Sequence, residues 1–204
     1  MLLAAAVQPA AATVGDTTCV SVNSYGVIGN SSSSNPTISG DGRFVAFVSL
    51  ARNLVPGDTN GSGDIFVHDR QTGETTRVSV DSNGVQGNSY SYDPAISADG
   101  RFVAFYSYAT NLVFWDSNGY RDIFVHDRQT GETSRVSVNS SGEEGNSNSV
   151  EPAISANGRF VAFHSFASNL VAGDSNSTDD IFVHDRQTGE TTRVSVDSNG
   201  VQGN

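Results

Sequence analysis

Asp64-Ile65-Phe66-Val67-His68-Asp69-Arg70-Gln71-Thr72-Gly73-Glu74 recurs without a change from Asp122 and again from Asp180. Around it the whole chain repeats. Pro36, Pro94 and Pro152 are each 58 residues apart, as are Asp58, Asp116 and Asp174, and Asn30, Asn88, Asn146 and Asn204 carry the spacing to the last residue. A fixed period of this kind marks a repeat architecture. The units are residues 31–88, 89–146 and 147–204, within a repeat region of 19–204.

Each unit contains four strand signals. Pro36-Thr37-Ile38-Ser39 leads through Asp41-Gly42 into Arg43-Phe44-Val45-Ala46-Phe47-Val48. Asp-Gly between apolar runs predicts a tight hairpin with positive φ at both central residues, and it returns as Asp99-Gly100 and Asn157-Gly158. The third strand is Asp64 to His68. The turn Arg70-Gln71-Thr72-Gly73 then leads into a fourth, Thr75 to Val80. No stretch shows a 3.6-residue apolar period, so the chain is read as all-β. Strands two and three are apolar on both faces, whereas strand four alternates Val78 and Val80 with Arg77 and Ser79. Inner strands buried on both sides and an outer strand buried on one are what stacked propeller blades require.

The core Ile-Ser-x-Asp/Asn-Gly-Arg-Phe-Val-Ala-Phe, then Asn-Leu-Val, then Asp-Ile-Phe-Val-His-Asp, resembles the WD40-like (PD40) repeat of TolB-type β-propellers over Val20 to Asn204. The resemblance implies one four-stranded antiparallel blade per unit around a central channel. It also implies an envelope or periplasmic protein-interaction module, or a part of a larger propeller enzyme such as a glycan lyase or a peptidase-associated domain. The 58-residue period exceeds the ~40–45 residues of a typical WD40 blade. The excess lies in Asn53–Gly63 and in the Ser/Asn-rich stretch from Gly87 to Asp93.

Propellers have about four to eight blades, so three blades predict a ring not closed within this chain. Cys19-Val20-Ser21-Val22 matches strand four and predicts one extra N-terminal strand, with Cys19 half-buried in it. Completion would come from further blades of a longer propeller or from other copies of the chain, joined through open blade edges as a ring or filament.

Each unit also carries Asp-x-Asn-x-x-x-Asp before strand three: Asp58, Asn60, Asp64; Asp116, Asn118, Asp122; Asp174, Asn176, Asp180. Alternating oxygen donors in a tight loop are the ligand type of Ca²⁺, and the spacing matches positions 1, 3 and 7 of an EF-hand loop. A structural calcium ion in each loop is therefore expected. Asp69, Asp127 and Asp185 lie roughly 16 Å further along an extended strand, too far for the same ion, and are expected to cap the following turn.

Symmetry breaks at few positions. Phe114-Trp115 replaces Pro56-Gly57 and is a candidate binding patch; Glu143-Glu144 replaces Val85-Gln86 and reads as a solvated turn. His68, His126 and His184 recur identically, which suits a hydrogen-bonding position better than a catalyst, since catalysis brings different groups to one atom. No nucleophile-elbow, zinc-peptidase or phosphate-loop motif is present, and the chain is read as non-catalytic. A net charge of -11 and a pI near 4.5 exclude a basic nucleic-acid footprint. Hydrophobic residues make up 36% and mean hydropathy is -0.28, with no apolar run near the ~20 residues of a membrane span. Met1 to Ala12 reads like the end of a secretory signal with an A-x-A at Ala10 and Ala12, so residues 1–18 are expected to be a leader and the protein secreted, at the cell surface or periplasmic.

Overall fold

The computed structural model describes residues 17–203; residues 1–16 of the expected leader lie outside the described residues. Twelve strands form three separate four-stranded antiparallel sheets. The first contains β1 (Ser33–Ile38), β2 (Phe44–Ser49), β3 (Asp64–Asp69) and β4 (Thr75–Arg77). The second contains β5 (Ser91–Ile96), β6 (Phe102–Ser107), β7 (Asp122–Asp127) and β8 (Thr133–Arg135). The third contains β9 (Ser149–Ile154), β10 (Phe160–Ser165), β11 (Asp180–Asp185) and β12 (Glu190–Arg193). Each sheet keeps chain order, as a meander does. No helix among the described residues is long and apolar enough to cross a membrane.

The β1–β2 turn differs from the expected one. Only Gly42 has positive φ (73°). Asp41 instead uses its carboxylate to accept from Arg43 N (3.0 Å) and Ser39 Oγ (2.6 Å), which holds the turn without a left-handed aspartate. β1 is longer than Pro36–Ser39 and carries a bulge between Ser34 and Thr37, where Asn35 takes a left-handed conformation (φ 50°). The bulge sits beside Pro36, which has no N–H to offer the ladder.

The fourth strand is shorter than expected, because its chain peels away after Arg77. Val78 N still donates to Ile65 O (2.9 Å), but Ile65 N donates to the Ser79 hydroxyl (3.1 Å) rather than to a backbone carbonyl. The chain then makes a small hairpin, residues 79–87, closed by the single bridge Val80–Gln86. Asp81 Oδ1 accepts from Asn83 N and Val85 N at its tip. Equivalent hairpins are residues 137–145 and 195–203. The expected N-terminal strand takes the same form, a hairpin of residues 21–29 with the bridge Val22–Ile28. Cys19 before it is exposed rather than half-buried.

Asp69 caps its turn as expected, accepting from Gln71 N at 2.9 Å, and in addition accepts a bidentate pair from Arg43 Nε (2.9 Å) and Nη2 (2.6 Å). These bonds hold its carboxyl down at about 2, the Arg43 hydrogen bond contributing most. Arg101–Asp127 and Arg159–Asp185 repeat the pair.

Neighbouring sheets stack face to face. Ala46, Val48, Ile65, Val67 and Val78 of the first sheet form one buried cluster with Val103, Phe105, Phe124 and others of the second. The second and third sheets repeat this with Ala104, Ile123, Val125 and Val136 against Val161, Phe163 and Phe182. Backbone bonds tie the turns in series: Gly40 N to Ala98 O and Ala98 N to Ala156 O, both 2.9 Å. Phe44 reaches across to the next sheet and lies against Gly100, where an added Cβ would overlap its ring, with the Arg128 guanidinium 4.4 Å from the ring centroid. Phe102, Gly158 and Arg186 form the same contact one step on.

Candidate functional site

The three acidic loops are brought close to strand four of their own sheet, so each Asp-x-Asn-x-x-x-Asp meets an arginine thirteen residues beyond its last aspartate. Arg77 Nη1 lies 3.8 Å from both Asp58 Oδ1 and Asp64 Oδ2. Arg193 Nη1 lies 3.4 Å from Asp174 and 3.5 Å from Asp180. Arg135 Nη1 lies 3.4 Å from Asp116, 3.2 Å from Asp122 and 2.7 Å from Glu144. In the first unit the hairpin that follows supplies further donors. Gln86 Nε2 donates to Asp58 (3.0 Å) and Asp64 (2.7 Å), and Ser79 Oγ to Asp64 (2.7 Å). Asn60 Nδ2 donates to Gly87 O at 2.9 Å. Loop, strand four and hairpin are thus clasped around one buried guanidinium.

In this arrangement the residues expected to hold calcium are engaged with arginine and with one another. The cluster already holds a cation, and a divalent ion beside it would be repelled. Asn60, Asn118 and Asn176 turn their amide nitrogens toward the aspartates, while their Oδ1 atoms accept from the backbone N–H of Ser62, Tyr120 and Thr178. Among the described residues no three His, Cys, Asp or Glu side chains converge as a metal-ligand group.

Two readings of local sequence change here. Glu144 is not solvated: it occupies the clasp position of Gln86 and Gln202, paired with Arg135 and accepting from Ser117 Oγ at 2.6 Å. The arginines, glutamines and serines of the clasp were not singled out, although Arg77, Arg135 and Arg193 recur at the same period as the aspartates. In the second unit three carboxylates face one arginine. Burial, then the neighbouring charge of Asp122, push Asp116 up to about 6, with Glu144 adding to the rise and Arg135 opposing it.

The recurring histidines serve a second contact. His126 Nδ1 is 2.8 Å from Thr133 Oγ1, whose own proton goes to Val80 O (2.6 Å), so the ring donates through Nδ1–H. Burial lowers the His126 imidazole to about 4 and keeps it neutral. His68–Thr75–Val22 and His184–Thr191–Val138 repeat the relay. Each relay seats the preceding hairpin on the next sheet, a hydrogen-bonding role as the sequence suggested.

Phe114 and Trp115 stand outside this symmetry, 83% and 77% exposed, in a T-shaped pair with centroids 4.8 Å apart. They flank a groove of about 650 Å³ that also presents Asn83, Asn111, Asp116 and Ser117. Trp115 has φ 60° at the position held by Gly57 and Gly173 in the other units. A left-handed conformation costs a non-glycine residue about 1–2 kcal/mol.

No family profile matches the chain, and no curated protein matches it in sequence. Solved structures do match. TolB from Acinetobacter baumannii superposes with a TM-score of 0.51 at 19% identity, over 84% of this chain and 34% of that one. A prolyl endopeptidase superposes with a TM-score of 0.51 at 17% identity, over 85% of this chain and 22% of that one. The fold is an open β-propeller arc. Each sheet is one blade, and the blades form an arc whose two end blades do not close on each other. The chain spans about a third of the TolB length and less of the peptidase.

Two measurements test the clasp. Chelated protein titrated with Ca²⁺ is expected to show neither heat nor a thermal shift, and a shift of several degrees would restore the calcium expectation. The Asp116 carboxyl is expected to titrate near 6 by carbon NMR and lower in Glu144→Gln. The unfolded chain releases this proton near 3.8, so ionised Asp116 costs stability above pH 6, a cost that disappears as pH falls through 6 toward 4. A midpoint near 4 in the native protein would contradict the assignment.

Proposed function

We propose that the chain is a non-catalytic, exported interaction module that associates head to tail with copies of itself through the two end faces of the arc. One observation carries this reading: the contact made twice between blades is left in complementary halves at the ends. Phe160, counterpart of Phe44 and Phe102, is 40% exposed at the third blade. Among the described residues, Gly42 and Arg70, counterparts of Gly100 with Arg128 and of Gly158 with Arg186, have no ring against them at the first. Apolar groups follow the same rule. Val78 and Val136 are 1% and 2% exposed beneath the next blade, whereas Val194 is 49% exposed, and Ile181 is exposed where Ile65 and Ile123 are buried.

Support for a non-catalytic role is that the repeated polar groups are spent between blades, on clasps, turn caps and seats. Support for export is the Met1–Ala12 leader. The similarity to both TolB and a peptidase leaves the fold neutral between binding and enzymatic roles.

Sedimentation velocity over a concentration series tests association. The chain is expected to self-associate, and Phe160→Ala to raise the dissociation constant at least tenfold. A mass that stays at one chain, 21.4 kDa, throughout would overturn the proposal.

The groove beside Trp115 favours a second binding role. An exposed aromatic pair held in a costly backbone conformation, next to amide and hydroxyl groups, suits the flat apolar face and polar rim of a sugar ring. Trp115 is the single tryptophan of the chain, so its emission reports occupancy. Soluble oligosaccharides are expected to change that emission. Trp115→Gly should abolish binding while gaining about 1 kcal/mol of stability; unaltered emission across neutral and acidic glycans would refute the assignment.

A further inference from the structure

Each blade carries one seat for a hairpin. On the second blade Thr133 Oγ1 donates to Val80 O, Thr133 N to Ser82 Oγ (3.0 Å) and Asn111 Nδ2 to Gln86 O (2.9 Å). Gly87 lies so close to Ala109 and Leu112 that a Cβ there would meet them at 3.3 and 3.4 Å. The third blade seats hairpin 137–145 the same way, and a Cβ on Gly145 would meet Ala167 at 3.2 Å. In both cases the hairpin comes from the preceding blade and stays clasped to it.

On the first blade the seat is taken by hairpin 21–29. Thr75 Oγ1 donates to Val22 O (2.5 Å), Thr75 N to Ser24 Oγ (3.0 Å) and Asn53 Nδ2 to Ile28 O (3.0 Å), and a Cβ on Gly29 would meet Ala51 at 3.1 Å. This hairpin has the seat-binding residues but keeps only the serine, Ser21, of the three clasp side chains. Cys19 stands where the others have Arg77, Arg135 and Arg193, and Ile28 where they have Gln86, Glu144 and Gln202. Cys19 is exposed, and Ile28 is 66% exposed. The opposite end holds the converse. Hairpin 195–203 is fully clasped, by Arg193, Ser195 and Gln202, but among the described residues nothing lies nearer a Cβ on Gly203 than Ser195 O at 3.8 Å. Its sequence, Arg193 to Asn204, repeats Arg77 to Asn88 residue for residue.

We propose that hairpin 21–29 is an internal plug, occupying on the first blade the seat that hairpin 195–203 of a second copy takes when copies join head to tail. The proposal rests on the self-association reading above and adds a gate to it. Exchange is close to balanced at the seat itself, since the incoming hairpin offers the same two carbonyls, the same serine and the same glycine. What tips it is the rest of the junction: Phe160 reaching Gly42 and Arg70, and burial of Ile181, Val194 and Val196. The plug therefore lowers the affinity of copies for one another without abolishing it, and loosening the plug raises that affinity.

Sedimentation velocity on point variants of the full chain decides this. Gly29→Val forces side-chain atoms against Ala51 and Leu54 and unseats the plug. Gly26→Val does so by a separate route, since Gly26 has φ 79° at the hairpin tip and touches nothing on the blade. Both are expected to lower the dissociation constant at least tenfold. Among the described residues a Cβ at Gly203 meets only Ser195 O, at an ordinary 3.8 Å, but Gly203→Val would meet Ala51 and Leu54 in the junction, so Gly29→Val/Gly203→Val should lose the gain. Association in wild type that neither plug variant strengthens, or a gain that Gly203→Val leaves intact, overturns the plug while leaving self-association standing. Plug variants and wild type that are folded by circular dichroism and monomeric at every concentration overturn both.

Discussion

Each blade's inner strands carry apolar side chains on both faces, Val45 and Phe47 on one and Ala46 and Val48 on the other, and this two-sided apolarity is the constraint from which the remaining structure follows. Such a sheet gains stability only between two covering layers, at about 25 cal/mol per Å² of apolar surface removed from water. For the second blade the layers are its neighbours. For the first, one face is closed by Val20 and the Ala51–Val55 segment. For the third, the outer face is left with Ile181, Val194 and Val196 in the open. The two ends of the arc are therefore unequal in a way that the repeated sequence is not.

Polar groups are arranged around the same constraint. A blade stacked on both faces has only its edges for buried charge, and each edge is closed by a charge of opposite sign returning from elsewhere in the unit. Arg43 reaches Asp69 across the β2–β3 ladder, and Arg77 returns from strand four to Asp58 and Asp64. A buried carboxylate without such a partner would be strongly destabilising, and the second unit shows the effect in miniature. Burial and then the charge of Asp122 push Asp116 up to about 6, and Glu144, a third carboxylate in the Arg135 cluster, adds to the rise. The clasp also fixes the hairpin, and the hairpin fixes the next blade through the His–Thr relay. Charge burial and blade stacking are thus one continuous set of contacts, running from Arg77 through Gln86 and Val80 to Thr133 and His126.

Much of this was legible in the sequence because it is local or periodic. The sheets follow from Phe-Val-Ala-Phe and Ile-Phe-Val-His-Asp, whose two-faced apolarity needs no knowledge of the tertiary structure. The turn-capping role of Asp69 follows from its distance along a strand. The acidic loop was harder, since Asp-x-Asn-x-x-x-Asp describes the spacing of a metal loop and of a charge clasp equally well. What separates them is whether a guanidinium folds back into the loop. That depends on strand four peeling off after Arg77 so that Ser79 and Gln86 can turn inward, with the Ser79 hydroxyl accepting from Ile65 N and donating to Asp64. Glu144 was misplaced for the same reason, because a glutamate beside a Gly-rich turn looks solvated until the hairpin carrying it is folded onto the loop.

Repetition conceals as much as it shows, and the departures from it are the informative positions. In a duplicated array, a residue common to every copy can be explained by the contact that every copy makes. A residue that differs at one end must answer to a contact that only that end makes or lacks. Cys19 and Ile28 keep the hairpin shape, since Val22, Asn23, Ser24, Gly26 and Gly29 hold the bridge, the tip and the seat. They drop two of the three side chains that bind an acidic loop, Ser21 keeping the position of the third. A hairpin that retains its seat and has lost its clasp is held by one blade instead of two, and its anchorage is correspondingly weaker. Hairpin 195–203 keeps both sets of groups and uses one. The array thus presents, on one chain, a weakly anchored occupant of a seat and a well-anchored hairpin with the sequence to replace it. That inequality arises from two residues, Cys19 and Ile28.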